Sequence, residues 1–144
     1  MRKMARVGAT ALIVLAVATA AALAQDYPDM VGVWKGHVEG VIIGDPDHFM
    51  STVEAGDPEK PRIAEFDITV DIVEQEGRLI WGTISGGGTS EPWLGTISRD
   101  GKGLRAVDGN GFVDGRILSA DEFENCYLHT GGTIVASCAI MKRE

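Results

Sequence analysis

The sequence predicts an all-β fold: an eight-stranded antiparallel up-and-down barrel, preceded by a cleaved signal peptide. Three observations lead there. Apolar residues alternate with polar ones at a period of two, as on a sheet with one dry and one wet face. Apolar runs are separated at short intervals by Asp-Gly, Gly-Asn and Gly-Gly pairs, which is hairpin turn chemistry. Glycine is also too abundant for a helical domain, with 19 residues in 144.

Residues 1–24 carry Arg2, Lys3 and Arg6, then an apolar Ala-rich run, then Ala22-Leu23-Ala24 before Gln25. A basic start, an apolar stretch and small residues at the cut are the parts of a secretory signal peptide. The run is nearly long enough to span a membrane, but it lacks the Leu and Phe density of an anchor. Cleavage leaves residues 25–144 as one barrel domain, periplasmic or secreted. The whole chain has a formal charge of −8, and removing three bases and no acid makes the remainder more acidic. That balance disfavours nucleic acid and anionic lipid, both of which need clustered Lys and Arg.

The first strand is read over 31–43, punctuated by glycines. A connection over 44–62 follows, with Pro46, Pro58 and Pro61 and several acids; 48–53 within it fits a short edge strand. Residues 63–74 are the clearest strand. Ala64, Phe66, Ile68, Val70 and Ile72 alternate with Glu65, Asp67, Thr69 and Asp71, which places the acids outward. Strands are then read over 78–85, 93–98, 104–107, 112–118, 122–129 and 133–142, with Gly86-Gly87-Gly88 as a flexible break. Closing eight such strands removes exposed edges and leaves room for side chains or one small ligand.

Cys126 and Cys138 are the only cysteines. In an oxidising compartment such a pair forms a disulfide. A three-residue loop over 131–133 places them directly opposite each other on one face of the last hairpin. A two-residue loop puts them on opposite faces.

Tests for chemistry give little. His37, His48 and His129 are scattered without zinc-site spacing. Asp45, Asp47 and His48 read as a solvated acidic loop. Residues 108–115 resemble a calcium loop only until Phe112 and Ser119 fall on ligand positions. There is no G-x-S-x-G elbow and no P-loop. Neither a metal, a cofactor nor catalysis is expected.

The aromatic residues remain. Trp34 shares a face with Val38 and Ile42 and reads as a plug. Trp93 follows Pro92 and suits a barrel mouth. Trp81 stays open: a turn at Glu76-Gly77 points it inward with Phe66 and Ile72, and a loop over 75–77 points it outward. Trp81, Trp93 and Tyr127, with His129, are the candidate ligand contacts.

Gly32-Val33-Trp34-Lys35-Gly36 at the start of the first strand resembles the opening of calycin-like barrels, the lipocalins and avidins. The Gln75-Glu76-Gly77 turn and Gly82 are similar to hairpins of those barrels. The resemblance implies that Trp34 closes one barrel end. The long acidic first loop departs from avidins, and the length departs from lipocalins. The same opening is similar to nitrobindin-like haem barrels, where a late His holds iron and His129 stands in a comparable place. Small periplasmic inhibitor barrels share the size, the cysteine pair and the export signal, and residues 25–30 could be their protease-entering arm. The expected function is non-catalytic binding of a small apolar or amphipathic molecule inside the barrel. The alternative is a protein-interaction or inhibitor module with a filled barrel.

Overall fold

A computed structural model describes residues 26–46 and 48–144; the predicted signal peptide lies outside the described residues. The strands are β1 (Gly32–Ile43), β2 (Arg62–Glu76), β3 (Leu79–Gly86), β4 (Thr89–Ile97), β5 (Gly103–Val107), β6 (Phe112–Ile117), β7 (Glu122–His129) and β8 (Ile134–Arg143). Each pairs antiparallel with its neighbour in sequence, and β8 returns to β1 to close the barrel. No described helix is long and apolar enough to cross a membrane.

Alternation decides what lies inside. On β2 the side chains of Ala64, Phe66, Ile68, Val70 and Ile72 are buried, while Glu65 and Asp67 are exposed. Segment 48–53 forms no edge strand. His48–Met50 is a 3-10 turn, and it tucks Phe49 and Met50 into the core from the long connection. The triple glycine is not a flexible break either. Gly86 pairs with Thr89 across a two-residue turn, with Gly87 and Gly88 both at positive φ, where a Cβ is unwelcome. β4 therefore starts four residues earlier than its apolar content suggests, because the tight turn pairs Thr89 to Pro92 with β3 although Ser90, Glu91 and Pro92 are weak strand formers.

A bulge settles the side of Trp81. The hairpin turn is Gly77-Arg78, and the β2–β3 register shifts between Ile72 and Glu74. One extra residue on β2 reverses the in-out alternation below the shift. Ile80 and Ile84 are buried, and Trp81 faces outward beside Leu94 and Glu74, half-buried. Gly82 sits opposite the bulge, where a Cβ would lie 1.8 Å from the Asp71 carbonyl oxygen, so no other residue fits.

One end of the barrel is sealed. Trp34 is fully buried, edge-on to Phe123 with ring centroids 5.0 Å apart, and its Nε1 donates to the Met30 carbonyl at 2.9 Å. The Arg143 guanidinium lies 4.1 Å over the Trp34 ring. Its Nη2 donates to Asp29 O at 2.7 Å and to Ala120 O at 3.0 Å. Gln75 accepts from the Met30 N–H at 2.8 Å and donates to Pro28 O at 3.0 Å. Residues 26–31 are thus strapped across this base, and Met30 is part of the core. A free arm for entering a protease cleft is not what they form.

Cys126 and Cys138 are direct partners in the β7–β8 register and are disulfide-bonded, with Cα atoms 4.0 Å apart. The bond lies on the outer wall, where it staples the last hairpin without occupying the interior. Replacing both cysteines by serine should cost about 3 kcal/mol in the chain-entropy picture. Urea unfolding of the oxidised protein and of the Cys126→Ser/Cys138→Ser variant measures it, and equal midpoints would refute the estimate.

Candidate functional site

The two ends of the barrel differ. Opposite the Trp34 base lie the long connection and the β3–β4, β5–β6 and β7–β8 turns. Beneath them is an interior cavity of about 20 Å³, lined by Val38, Phe66, Ile68 and Ile84 on one side and by Asp108, Asn125, Tyr127 and Ser137 on the other, under Phe49 and Met50. That is about the room one water needs. The barrel is filled, and the mouth is stoppered by two side chains of its own loop.

The mouth loops are held by local hydrogen bonds. Gly44 N donates to Pro58 O at 2.9 Å, and Arg62 Nη2 donates to Gly44 O at 2.6 Å, which pinches the connection at its root. Thr133 Oγ1 donates to Asp45 O at 2.6 Å, and Ser51 Oγ donates to Gly87 O at 2.9 Å. Asp108 Oδ1 accepts from Gly111 N at 2.8 Å and from Asn110 N at 3.2 Å, an Asx turn that shapes the β5–β6 connection. This turn is what the calcium-like run 108–115 encodes. Tyr127 Oη donates to Asn110 Oδ1 at 2.7 Å.

Two polar atoms at the cavity are unusual. Asn125 is 3% exposed, and its Oδ1 has no hydrogen-bond partner. Asp108 Oδ2 is buried and has none either. Native proteins pair such atoms, because leaving one dry and unpaired costs about 1–3 kcal/mol. The buried Trp93 Nε1 is likewise without a partner.

The four predicted contacts separate. Tyr127 lines the cavity. His129 is buried beside it, its ring centroid 6.3 Å from that of Tyr127. Trp93 is not at the mouth; it is fully buried and pairs with Gly82 in mid-strand, since β4 begins at Thr89. Trp81 is on the outer wall and out of reach of the interior. Sequence reasoning missed Asn125, Ser137, Asp108, Phe49 and Met50. Two signals were available: Asn125 and Ser137 are polar residues at inward positions of β7 and β8, and Phe49-Met50 is an apolar pair within an acidic, Pro-containing loop. Of the acidic loop cluster, Asp45 is exposed and Asp47 lies outside the described residues. Among the described residues no group of three His, Cys, Asp or Glu side chains is arranged to hold a metal ion.

The outer wall has its own pattern. Ile63, Val41, Ala136, Leu128, Phe112, Val107, Leu94 and Trp81 are successive direct partners around the barrel, from β2 through β1 and β8 to β3. All are exposed except the half-buried Trp81. This apolar row winds from the mouth side toward the base. Beside it, His37 and Asp67 are hydrogen-bonded at 2.8 Å, with Glu65 4.0 Å away. The Asp67 hydrogen bond, helped by the charges of Asp67, Glu65 and Glu39 and opposed by slight desolvation, raises the His37 pKa above its ordinary value.

No family model matches the chain, and no curated protein does. Among solved structures the chain is similar to the S-type phycobiliprotein lyase CPES from Guillardia theta, at a TM-score of 0.31 and 16% identity over 80% of this chain and 88% of that one. A likeness this distant transfers neither a site nor a reaction. The expectation that the protein is no enzyme draws no support from this comparison, since the similar structure is itself named a lyase. That expectation rested on missing acid, base and nucleophile motifs. Such motifs are not required where a protein accelerates a reaction by holding and orienting the reactant.

A raised His37 pKa means that the ion pair stabilises the fold fully below pH 6.5 and that this contribution is lost as pH rises through the folded-state value. An NMR titration should place the His37 midpoint above 6.5, and Asp67→Asn should return it toward that value.

Proposed function

We propose that the protein binds a small apolar or amphipathic molecule in the mouth half of the barrel, where Phe49 and Met50 now sit. The observation that supports this most directly is the pair of unpartnered buried oxygens, Asn125 Oδ1 and Asp108 Oδ2, at a cavity whose other wall is apolar. Native proteins pair buried acceptors of this kind with a protein group, an ordered water or a ligand. In this reading Tyr127 and His129 become ligand contacts once the stopper withdraws, whereas Trp93 stays buried in mid-strand away from the mouth cavity and Trp81 belongs to the outer row. We also read residues 1–24 as a removed signal, residues 25–144 as one barrel domain, and the location as periplasmic or secreted. The disulfide supports that location, since such bonds persist in oxidising compartments. The Trp34 base supports the likeness to lipocalins and avidins.

The Phe49→Ala/Met50→Ala variant tests the reading. It should stay folded by circular dichroism, lose several kcal/mol of stability, and bind the neutral probe N-phenyl-1-naphthylamine at least ten-fold tighter than the wild type. A folded variant with unchanged probe fluorescence would overturn the interior site.

A second reading has its own observation in the filled interior and the outer apolar row: contact with another protein through that row. Phe112→Asp should then remove a partner that co-purifies with the wild type in native mass spectra, with the probe titration unchanged. Retention of the partner would exclude the row.

A further inference from the structure

We infer that the mouth pocket selects a ligand whose polar end is a protonated amine, carried on an apolar body about the size of the Phe49 side chain. The inference rests on the interior reading above and adds the chemistry of the head group.

Three features fix it. The first is the sign of the unpaired atoms. An Asp carboxylate oxygen can only accept a hydrogen bond, and Asp108 Oδ2 is buried at the cavity without a donor. Asn125, nine-tenths or more buried, lines the same cavity, and its Oδ1 likewise has no protein partner. A carboxylate or phosphate head would bring further acceptors and negative charge against both. An ammonium brings three N–H donors and a positive charge.

The second feature is rigidity. Asp108 Oδ1 is committed to the Asn110 and Gly111 N–H groups, so the carboxylate is fixed by its turn and Oδ2 cannot rotate out to water without breaking those bonds. Tyr127, which holds Asn110 through its hydroxyl, locks the same turn from inside the barrel. An acceptor held in place suits a ligand better than it suits packing.

The third feature is the shape opposite. Val38, Phe66, Ile68 and Ile84 form an apolar wall now covered by an aromatic ring and a thioether chain. A ligand that replaces Phe49 meets that wall with a ring and leaves its other end at Asp108 and Asn125.

Calorimetric titration of the full chain with three probes of one body separates the possibilities: 2-phenylethylamine, 2-phenylethanol and 3-phenylpropionate at pH 7. The amine should bind at least ten-fold tighter than the alcohol, and the propionate should give no measurable heat. Asp108→Asn keeps the oxygen that caps the turn; it should bring the amine down to the affinity of the alcohol and leave the alcohol within two-fold. Asn125→Leu, which fills the same space, should weaken the amine as well and serves if Asp108→Asn does not fold. Equal affinities for amine and alcohol, or an amine preference that survives Asp108→Asn, would overturn the head-group inference while leaving the interior site standing. Absence of binding by all three probes in both the wild type and Phe49→Ala/Met50→Ala would remove the interior site itself.

Discussion

The stack of Arg143 on Trp34 joins the last strand to the first, and the two-ended character of the molecule follows from it. A closed barrel needs β8 to find β1 across nearly the whole described chain, a closure that costs loop entropy. Trp34 is the fixed point of that seam. Its ring is covered on one side by a guanidinium from β8 and on its edge by Phe123 from β7, and its N–H is held by Met30. The same guanidinium binds carbonyl oxygens of the entering segment and of the β6–β7 turn. Base, seam and entering chain are therefore one unit. Any change of shape that admits a ligand belongs to the other end.

Parity along each strand then distributes the chemistry. The inward positions of β7 carry Phe123, Asn125, Tyr127 and His129, so this strand runs from apolar at the base to polar at the mouth. β8 carries Ser137 inward between Met141 and Ala139 on the base side and Val135 on the mouth side. Strands β1 and β2 stay apolar inside throughout. The interior consequently has a dry side and a polar side only in its upper half. The single bulge on β2 matters because it exchanges inner and outer faces at one place, and in doing so gives Trp81 to the outer wall.

Much of this was legible in the sequence, for physical reasons that can be named. A half-buried strand has to alternate, so β2 was readable from its residues alone. Two cysteines stand opposite each other in the register of a three-residue loop and not in that of a two-residue loop, and the observed register is the former. What could not be read were consequences of single insertions and of tertiary burial. Nothing in Ile72-Val73-Glu74 announces a bulge, because its cause is the backbone approach at Gly82, on another strand. The start of β4 was hidden because Ser90, Glu91 and Pro92 are poor strand residues imposed on by a tight turn. The stopper was hidden because Phe49 and Met50 lie in a loop whose charges and prolines describe its solvent side. Of the expected contacts, all chosen for their rings, Tyr127 lines the cavity and His129 lies beside Tyr127. Asn125 and Asp108 were not among them, since a polar residue declares itself only when its burial and its missing partner are seen together.

The stopper itself has a balanced energetic character. Two apolar side chains in the mouth hide their own surface and that of the wall beneath them, worth about 1.5–3 kcal/mol each. A ligand of similar size hides the same wall, so the apolar part of an exchange nearly cancels. The difference lies in the polar half. The side chains of Phe49 and Met50 offer no donor to Asn125 Oδ1 or Asp108 Oδ2, and a buried acceptor without any partner costs about 1–3 kcal/mol. A molecule that supplies donors there relieves that penalty, and the stopper cannot. The loop is thus a competitor that matches a ligand in shape and loses to it in hydrogen bonding. On the proposed interior reading, that arrangement fills the mouth when no ligand is bound and leaves a molecule of the right polarity able to displace the plug.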